Sequence, residues 1–275
     1  MSRNPDRYAV IGNPVDHSRS PAIHAAFAEQ TGQQMTYERL PAATDAFAAT
    51  VTDFFAAGGH GLNVTLPFKR EAASYADELS ERARRADAVN TLTRADDGRV
   101  LGDNTDGIGL LRDLRNNLGE RLENARVLVL GAGGAVRGVV PVLLDAEPAR
   151  LMVANRSVDK AEAIATDFAA LGPVSACTLA AIEPDWDIVI NAISAGLSGA
   201  MPQLPDAAIE NARAAYDMIY ADTPTPFMRW AREHGVTQQC DGFGMLVEQA
   251  AESFFIWRGV RPDTAPIIRA LRPTP

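Results

Sequence analysis

Val127-Leu128-Val129-Leu130 runs directly into Gly131-Ala132-Gly133-Gly134-Ala135, an apolar strand ending in a glycine-rich turn. Four apolar residues with no polar alternation read as a strand covered on both faces, as in parallel sheets flanked by crossover helices. Glycines at such a turn let the backbone approach a pyrophosphate, and a helix starting there offers its free N–H groups to the anion. Gly131 and Gly133 fit the dinucleotide-binding pattern, but Val136 stands where its third glycine would be. A turn of this composition also serves simply to join a strand to a helix.

The same rhythm continues on both sides. Strand patterns fall at Tyr8–Ile11, Thr36–Leu40, Gly61–Val64, Val89–Thr93 and Arg99–Leu101, the last two flanking the hairpin-type turn Asp96-Asp97-Gly98. Further strands are expected at Leu151–Ala154, Ile188–Asn191 and Ala215–Met218. Helices are expected near Pro21–Gln30, Thr44–Ala57, Pro226–Glu233, Met245–Trp257 and Thr264–Leu271. At 275 residues the chain exceeds the usual single domain. The expected fold is α/β with two domains separated by a cleft, where ligand sites preferentially form. Residues 1–106 plus 243–275 form an N-terminal α/β domain with a helical return, and residues 107–242 a Rossmann-type nucleotide-binding domain.

The second strand of that domain leads into Asn155-Arg156-Ser157, where an NAD-binding domain carries an acid for the ribose 2′-hydroxyl. An arginine there suits a 2′-phosphate instead, and Lys160, one helical turn on, adds charge. NADP(H) is therefore the expected cofactor, although Asp159 is a mild counter-signal and surface charges at a helix start are common. A net charge of −9 argues against nucleic acid or anionic membrane as a partner. It also requires that any anionic ligand be held by local donors. No apolar stretch reaches the roughly 18 residues of a membrane span, and Met1–Asp6 is polar, without a signal-peptide core. Cys177 and Cys240 show no metal-ligand or CxxC spacing and read as reduced, buried thiols. A cytoplasmic protein with no metal site, acting on a small molecule as a monomer or homodimer, is expected.

Three segments of the first domain need more than composition to explain them: Gly12-Asn13-Pro14-Val15-Asp16-His17-Ser18-Arg19-Ser20-Pro21, Asn63-Val64-Thr65-Leu66-Pro67-Phe68-Lys69 and Gly102-Asp103-Asn104-Thr105-Asp106-Gly107. With Ala88-Val89-Asn90-Thr91, the glycine-rich turn, and Asp241 through Ala250, they closely resemble the shikimate dehydrogenase family, in order and spacing over essentially the whole chain. The resemblance implies an NADP-dependent oxidoreductase of the shikimate pathway of aromatic amino-acid biosynthesis. Such an enzyme reversibly reduces 3-dehydroshikimate to shikimate at a CH–OH group. A quinate/shikimate dehydrogenase of broader substrate and cofactor specificity is the alternative.

Carried over residue by residue, the resemblance makes Lys69 the acid–base group and Asp106 its partner, a pair suited to moving a hydroxyl proton as hydride leaves carbon. It implies that Ser18 and Ser20 bind the substrate carboxylate, and that Thr65, Asn90, Tyr220 and Gln249 bind the ring oxygens. Asn63 organises the same loop. On the cofactor side stand Gly131, Ala132, Gly133, Gly134 and Ala135 for the pyrophosphate, then Asn155, Arg156, Ser157 and Lys160 for the adenosine phosphate. Met218 and Gly242 belong by the nicotinamide. Read without the family, Ser20 is an N-cap before Pro21 at the first helical position, Lys69 a solvated charge, Asp106 an N-cap, and His17 and His24 structural. Two departures stand out: Ile193 where the family usually has threonine, and Ala25 where asparagine is common.

Overall fold

The computed structural model describes residues 5–193, 201 and 203–272, so most of the polar stretch Met1–Asp6 lies outside it. In chain order the first elements are β1 (Asp6–Gly12), α1 (Ser20–Thr31), β2 (Met35–Pro41), α2 (Phe47–Ala56), β3 (Gly59–Val64), α3 (Lys69–Tyr75), β4 (Glu78–Leu79), α4 (Glu81–Ala86), β5 (Thr91–Arg94), β6 (Val100–Asp103) and α5 (Asp106–Arg112). After a π-helical turn follow β7 (Arg126–Leu130), α6 (Gly134–Leu144), β8 (Arg150–Asn155), α7 (Val158–Phe168), β9 (Val174–Thr178), β10 (Ile188–Asn191), β11 (Ala214–Asp217), α8 (Pro226–Glu233), β12 (Gln238–Cys240), α9 (Phe243–Arg258) and α10 (Thr264–Leu271). They divide into two compact units, Met1–Gly109 with Val247–Leu271, and Leu110–Leu246 with Arg272–Pro275.

The first unit is built on a six-stranded sheet of order β2-β1-β3-β5-β6-β4. β1 pairs in parallel with β2 and β3, while β5 runs antiparallel to both β3 and β6. The sheet is mixed because β5 and β6 are joined by a tight turn, which only antiparallel neighbours allow. Ile11, Phe47, Val51, Leu62, Phe68 and Leu92 are all buried in one apolar cluster. An aromatic cluster gathers His24 and Phe27 of α1, Tyr37 of β2, and Phe254 and Trp257 of α9.

The second unit carries a fully parallel six-stranded sheet, order β12-β11-β10-β7-β8-β9. In chain order within this unit that is 6-5-4-1-2-3, the doubly wound dinucleotide-binding arrangement. The strand order reverses between β7 and β10, where Leu130 lies opposite Asn191. Both strands end there, and ligands of open α/β sheets bind outside the strand ends at such a reversal. Leu128, Leu130, Trp186, Val189 and Phe227 fill part of the core.

Most expected elements are present with ends shifted by one or two residues, but Val89 and Asn90 precede β5, which starts at Thr91. β4, β9 and β12 carry no strand pattern of their own. β4 and β12 are two and three residues long, and they are strands because β6 and β11 pair with them. The expectation of two buried thiols needs correction. Cys240 is buried, and burial pushes its thiol up to about 12, but Cys177 is only half-buried, on β9 at the sheet edge. Among the described residues no helix is long and apolar enough to cross a membrane.

His24 is fully buried, stacked on Tyr37 at 4.1 Å between ring centroids, and neither ring nitrogen makes a well-formed hydrogen bond. Burial pulls its pKa down to about 3, against a smaller opposing effect of Asn63. The native state then binds fewer protons than the unfolded chain between about pH 3 and about pH 6.5, so stability rises with pH across that window. The protonation cost of His24 is therefore nearly absent above pH 6.5, and between pH 6.5 and 5 the protein loses about 2 kcal/mol through this titration alone. His24→Leu, which cannot titrate, is expected to flatten the fall in Tm over that interval. Parallel pH profiles of Tm for the two proteins would disprove the assignment.

Candidate active site

The loop after β1 is fastened before any ligand enters. The Asn13 amide donates to the Leu66 carbonyl at 3.0 Å, and Ser18 N donates to Val15 O at 3.0 Å. Arg39 of β2 reaches across with two donors, Nε at 3.2 Å and Nη2 at 2.6 Å, both to the Ser18 carbonyl. Ser20 is not the N-cap of α1. Arg19 takes that position without a side-chain cap, Ser20 is the first helical residue, and Pro21 follows. Ser18 Oγ accepts the Ser20 amide, at 3.3 Å. Two hydroxyls thus stand at the start of a twelve-residue helix, where free N–H groups favour an anion.

The second cluster joins β3, β5, β6 and α9. Lys69 opens α3 and Asp106 opens α5, and Lys69 Nζ donates to Asp106 Oδ2 at 2.5 Å. The other carboxylate oxygen, Oδ1, accepts from Asn90 Nδ2 at 2.8 Å. Asn90 is 2% exposed, and its amide also donates to Thr105 Oγ1 at 2.9 Å and reaches Gln249 Oε1 at 3.4 Å. Its carbonyl oxygen accepts from the Thr105 amide at 2.9 Å and the Thr91 hydroxyl at 2.9 Å. A polar group this deep costs about 1–3 kcal/mol if left unpaired, and here every donor and acceptor is used. Thr65 lies in the turn between β3 and α3, with its amide on Ile11 O at 3.0 Å.

Several contributors carried no sequence signal. Thr105 sits beside Asp106 in the same loop. Ser253 lies four residues after Gln249 on α9, a spacing that puts both on one helix face. Its hydroxyl is 2.8 Å from Thr91 Oγ1 and accepts from Asn63 Nδ2 at 2.9 Å. The loop leading to Asp106 is held from behind. Asp103 accepts from Ser80 at 2.6 Å and from Arg82 at 3.1 and 2.7 Å, and Arg82 also reaches Glu252 at 3.0 Å.

The second unit holds the expected cofactor residues and Tyr220. Gly131 has φ +107, a conformation that side chains strain to adopt, and its amide donates to Ala154 O at 2.8 Å. Gly133 and Gly134 face open space at the start of α6, which has no side-chain cap, so a phosphate can be cradled there. Ala132 and Ala135 flank these glycines. Beyond β8, Asn155 Nδ2 donates to Ser157 O at 2.9 Å and shapes the turn that presents Arg156. Arg156 and Lys160 are exposed. These residues fit a dinucleotide bearing a 2′-phosphate.

At the end of β11 the buried Asp217 accepts from Asn191 Nδ2 at 3.1 Å and the Ile219 amide at 3.1 Å, while Met218 N donates to Asn191 O at 2.8 Å. Burial outweighs these bonds and raises the Asp217 pKa. Gly242 admits no side chain, because a Cβ there would stand 2.3 Å from the Met218 carbonyl oxygen. Tyr220 packs edge-on against Phe243 at 6.1 Å. Ile193, where a threonine was expected, donates its amide to Asn191 Oδ1 at 3.2 Å, so the turn closes without a hydroxyl there.

A parallel nucleotide-type sheet and a lysine–aspartate pair set among hydroxyls and amides define an oxidoreductase-type assembly, and comparison with known proteins narrows it. Three family profiles match along the chain: the shikimate dehydrogenase substrate binding domain over residues 10–92, shikimate/quinate 5-dehydrogenase over 113–222, and the shikimate 5′-dehydrogenase C-terminal domain over 242–272. The NADP(+) shikimate dehydrogenase of Alkalilimnicola ehrlichii is 56% identical over 268 residues, covering 98% of this chain and 99% of its own. Among solved structures, an Ael1 enzyme from Pseudomonas putida matches with a TM-score of 0.94 at 48% identity, over 98% of this chain and 99% of that one. A Thermus thermophilus shikimate 5-dehydrogenase in complex with NADP(H) and shikimate matches at 0.87 and 35%, over 96% and 98%. The chain belongs to the shikimate dehydrogenase family.

Asn90→Leu is expected to cost about 2–4 kcal/mol of stability, because it strands the Thr105 amide and the Thr91 hydroxyl in a buried site. Urea unfolding measures this, and a loss below 0.5 kcal/mol would mean that the network relaxes freely.

Proposed function

We propose that the protein is an NADP-dependent oxidoreductase that interconverts 3-dehydroshikimate and shikimate. The observation that carries this reading is the Lys69–Asp106 pair at 2.5 Å, tied through Asn90 to further polar groups, in a chain of this family. NADP(H), when bound, supplies or accepts the hydride.

The chain's own residues do the rest. Ser18 and Ser20 hold the substrate carboxylate at the start of α1, and Thr65, Asn90, Gln249 and Tyr220 hold the ring oxygens. In reduction, Lys69 Nζ gives a proton to the carbonyl oxygen as hydride reaches carbon, and in oxidation Nζ takes the hydroxyl proton back. Asp106, fixed on one oxygen by Asn90, keeps Nζ aimed at that oxygen and accepts from the substrate hydroxyl. Arg156 and Lys160 bind the 2′-phosphate, the Gly131–Ala135 turn the pyrophosphate, and Met218 and Gly242 border the nicotinamide. The protein works in the cytoplasm, as a monomer or homodimer, with small molecules rather than nucleic acid or membrane as partners.

The primary test is absorbance at 340 nm with shikimate or quinate crossed with NADP or NAD. Turnover confined to shikimate with NADP is expected. Comparable rates with quinate or NAD would replace this reading with the broader-specificity one, and no turnover with any pair would end both. Lys69→Ala is expected to lower kcat at least a hundredfold, roughly the worth of a positioned acid–base group, with little change in KM. A kcat within threefold of wild type would remove Lys69 from the chemistry. Arg156→Ala is expected to raise KM for NADPH far more than for NADH, and equal effects would refute the 2′-phosphate contact.

A further inference from the structure

Arg39 of β2 is bound to the loop that carries Ser18 and Ser20, and the mechanism above gives it no part. Its Nε and Nη2 both donate to the Ser18 carbonyl, at 3.2 and 2.6 Å. Covalent geometry keeps a serine's carbonyl and hydroxyl oxygens within about 5 Å of each other, which puts Nη2 within about 8 Å of Ser18 Oγ. That is no more than the screening length of physiological salt, about 8 Å, so the guanidinium charge is felt at that hydroxyl.

The charge is also uncompensated. Among the described residues no carboxylate pairs with Arg39, whose hydrogen bonds both go to a carbonyl. Glu38, its neighbour on the strand, is held by Arg7 at 2.9 Å. Arg19, within the loop itself, reaches the Leu271 carbonyl at 3.3 Å.

Hydroxyls alone do not select an anion. A serine donates as readily to an ester or an amide as it accepts from an alcohol, so Ser18 and Ser20 fix a carboxylate without demanding its charge. The chain as a whole carries −9, a field that disfavours an anion, and Asp16 adds negative charge two positions before Ser18. A guanidinium is always charged, and two bonds to one carbonyl hold this one in place. We propose that Arg39 is a specificity-determining residue that selects substrates bearing an ionised carboxylate, through its charge on the group held by Ser18 and Ser20. This rests on the reading of those two serines as carboxylate ligands.

The test compares Arg39→Gln and Arg39→Lys with shikimate and with shikimate methyl ester, whose ester group carries no charge. Gln can still donate to the Ser18 carbonyl, and Lys keeps the charge without the fork. Arg39 is exposed, and KM does not depend on how much of a variant is folded. At low ionic strength Arg39→Gln is expected to raise KM for shikimate about fivefold, the scale of an exposed ion pair, with kcat within twofold. KM for the ester, or its Ki against shikimate where it is not turned over, should move less than twofold. Arg39→Lys should stay within twofold of wild type for both compounds. In about 0.5 M NaCl the Arg39→Gln effect should shrink below twofold, because salt screens the charge. Equal rises for acid and ester, equal damage by Lys and Gln, a rise that persists in salt, or no rise at low ionic strength would overturn the selection and leave the function standing. Absence of wild-type turnover with shikimate would overturn both.

Discussion

The side-chain amide of Asn90 is the constraint on which the first unit's chemistry depends. It sits just before β5, with Asp106 on one side and Thr91 on the other, and the fold offers it no water. A buried amide is tolerated only when fully paired, and full pairing requires Thr105, Asp106 and Gln249 to stand where they do. The placement of the Lys69–Asp106 pair thus follows from a folding requirement. Asp103 extends the same logic outward, because its bonds to Ser80 and Arg82 fix the start of the loop that delivers Asp106. The proposed function uses groups whose geometry stability already enforces.

The second unit solves a different problem with backbone. Its parallel sheet reverses strand order between β7 and β10, and the turn after β7 must clear the residues that follow β10. Gly131 answers with a left-handed conformation, since a Cβ there would lie 3.2 Å from the Ala192 carbonyl oxygen. The neighbouring strand end is braced by Asn191 and Asp217, two buried polar side chains that bond each other and the start of the loop carrying Met218 and Tyr220. The pKa of Asp217 is raised, because burial, with the nearby Asp241 charge, penalises its charged form more than its bonds repay.

How much of this was legible in the sequence depended on whether the signal was local. Ile188–Asn191 and Pro226–Glu233 coincide with their elements because an unbroken apolar run and a Thr-Pro start are self-contained. β4 and β12 were invisible, since two or three residues become a strand only when a neighbour pairs with them. Ser20 was misread as a cap because serine before proline has a ready local explanation, whereas Arg19 takes the cap position and Ser20 is the first helical residue. Lys69 and Asp106 were chosen through family resemblance rather than physics: a lysine at a helix start says nothing about a carboxylate that arrives 37 residues later. Ser253 stayed hidden for the same reason, as it matters only through contacts made in the folded state.

The network around Asn90 also bears on how such a chain can diverge. Asn90, Thr105, Thr91 and Ser253 share their protons, so replacing any one by a group of different donor count leaves a neighbour unpaired. A viable lineage must then pass through paired replacements or none at all. Positions outside this closed set, such as Tyr220, whose half-buried ring packs edge-on against Phe243, are not bound by that proton sharing. Inheritance in this site is therefore uneven, with a core of residues that move as a bloc and a margin that is free to explore.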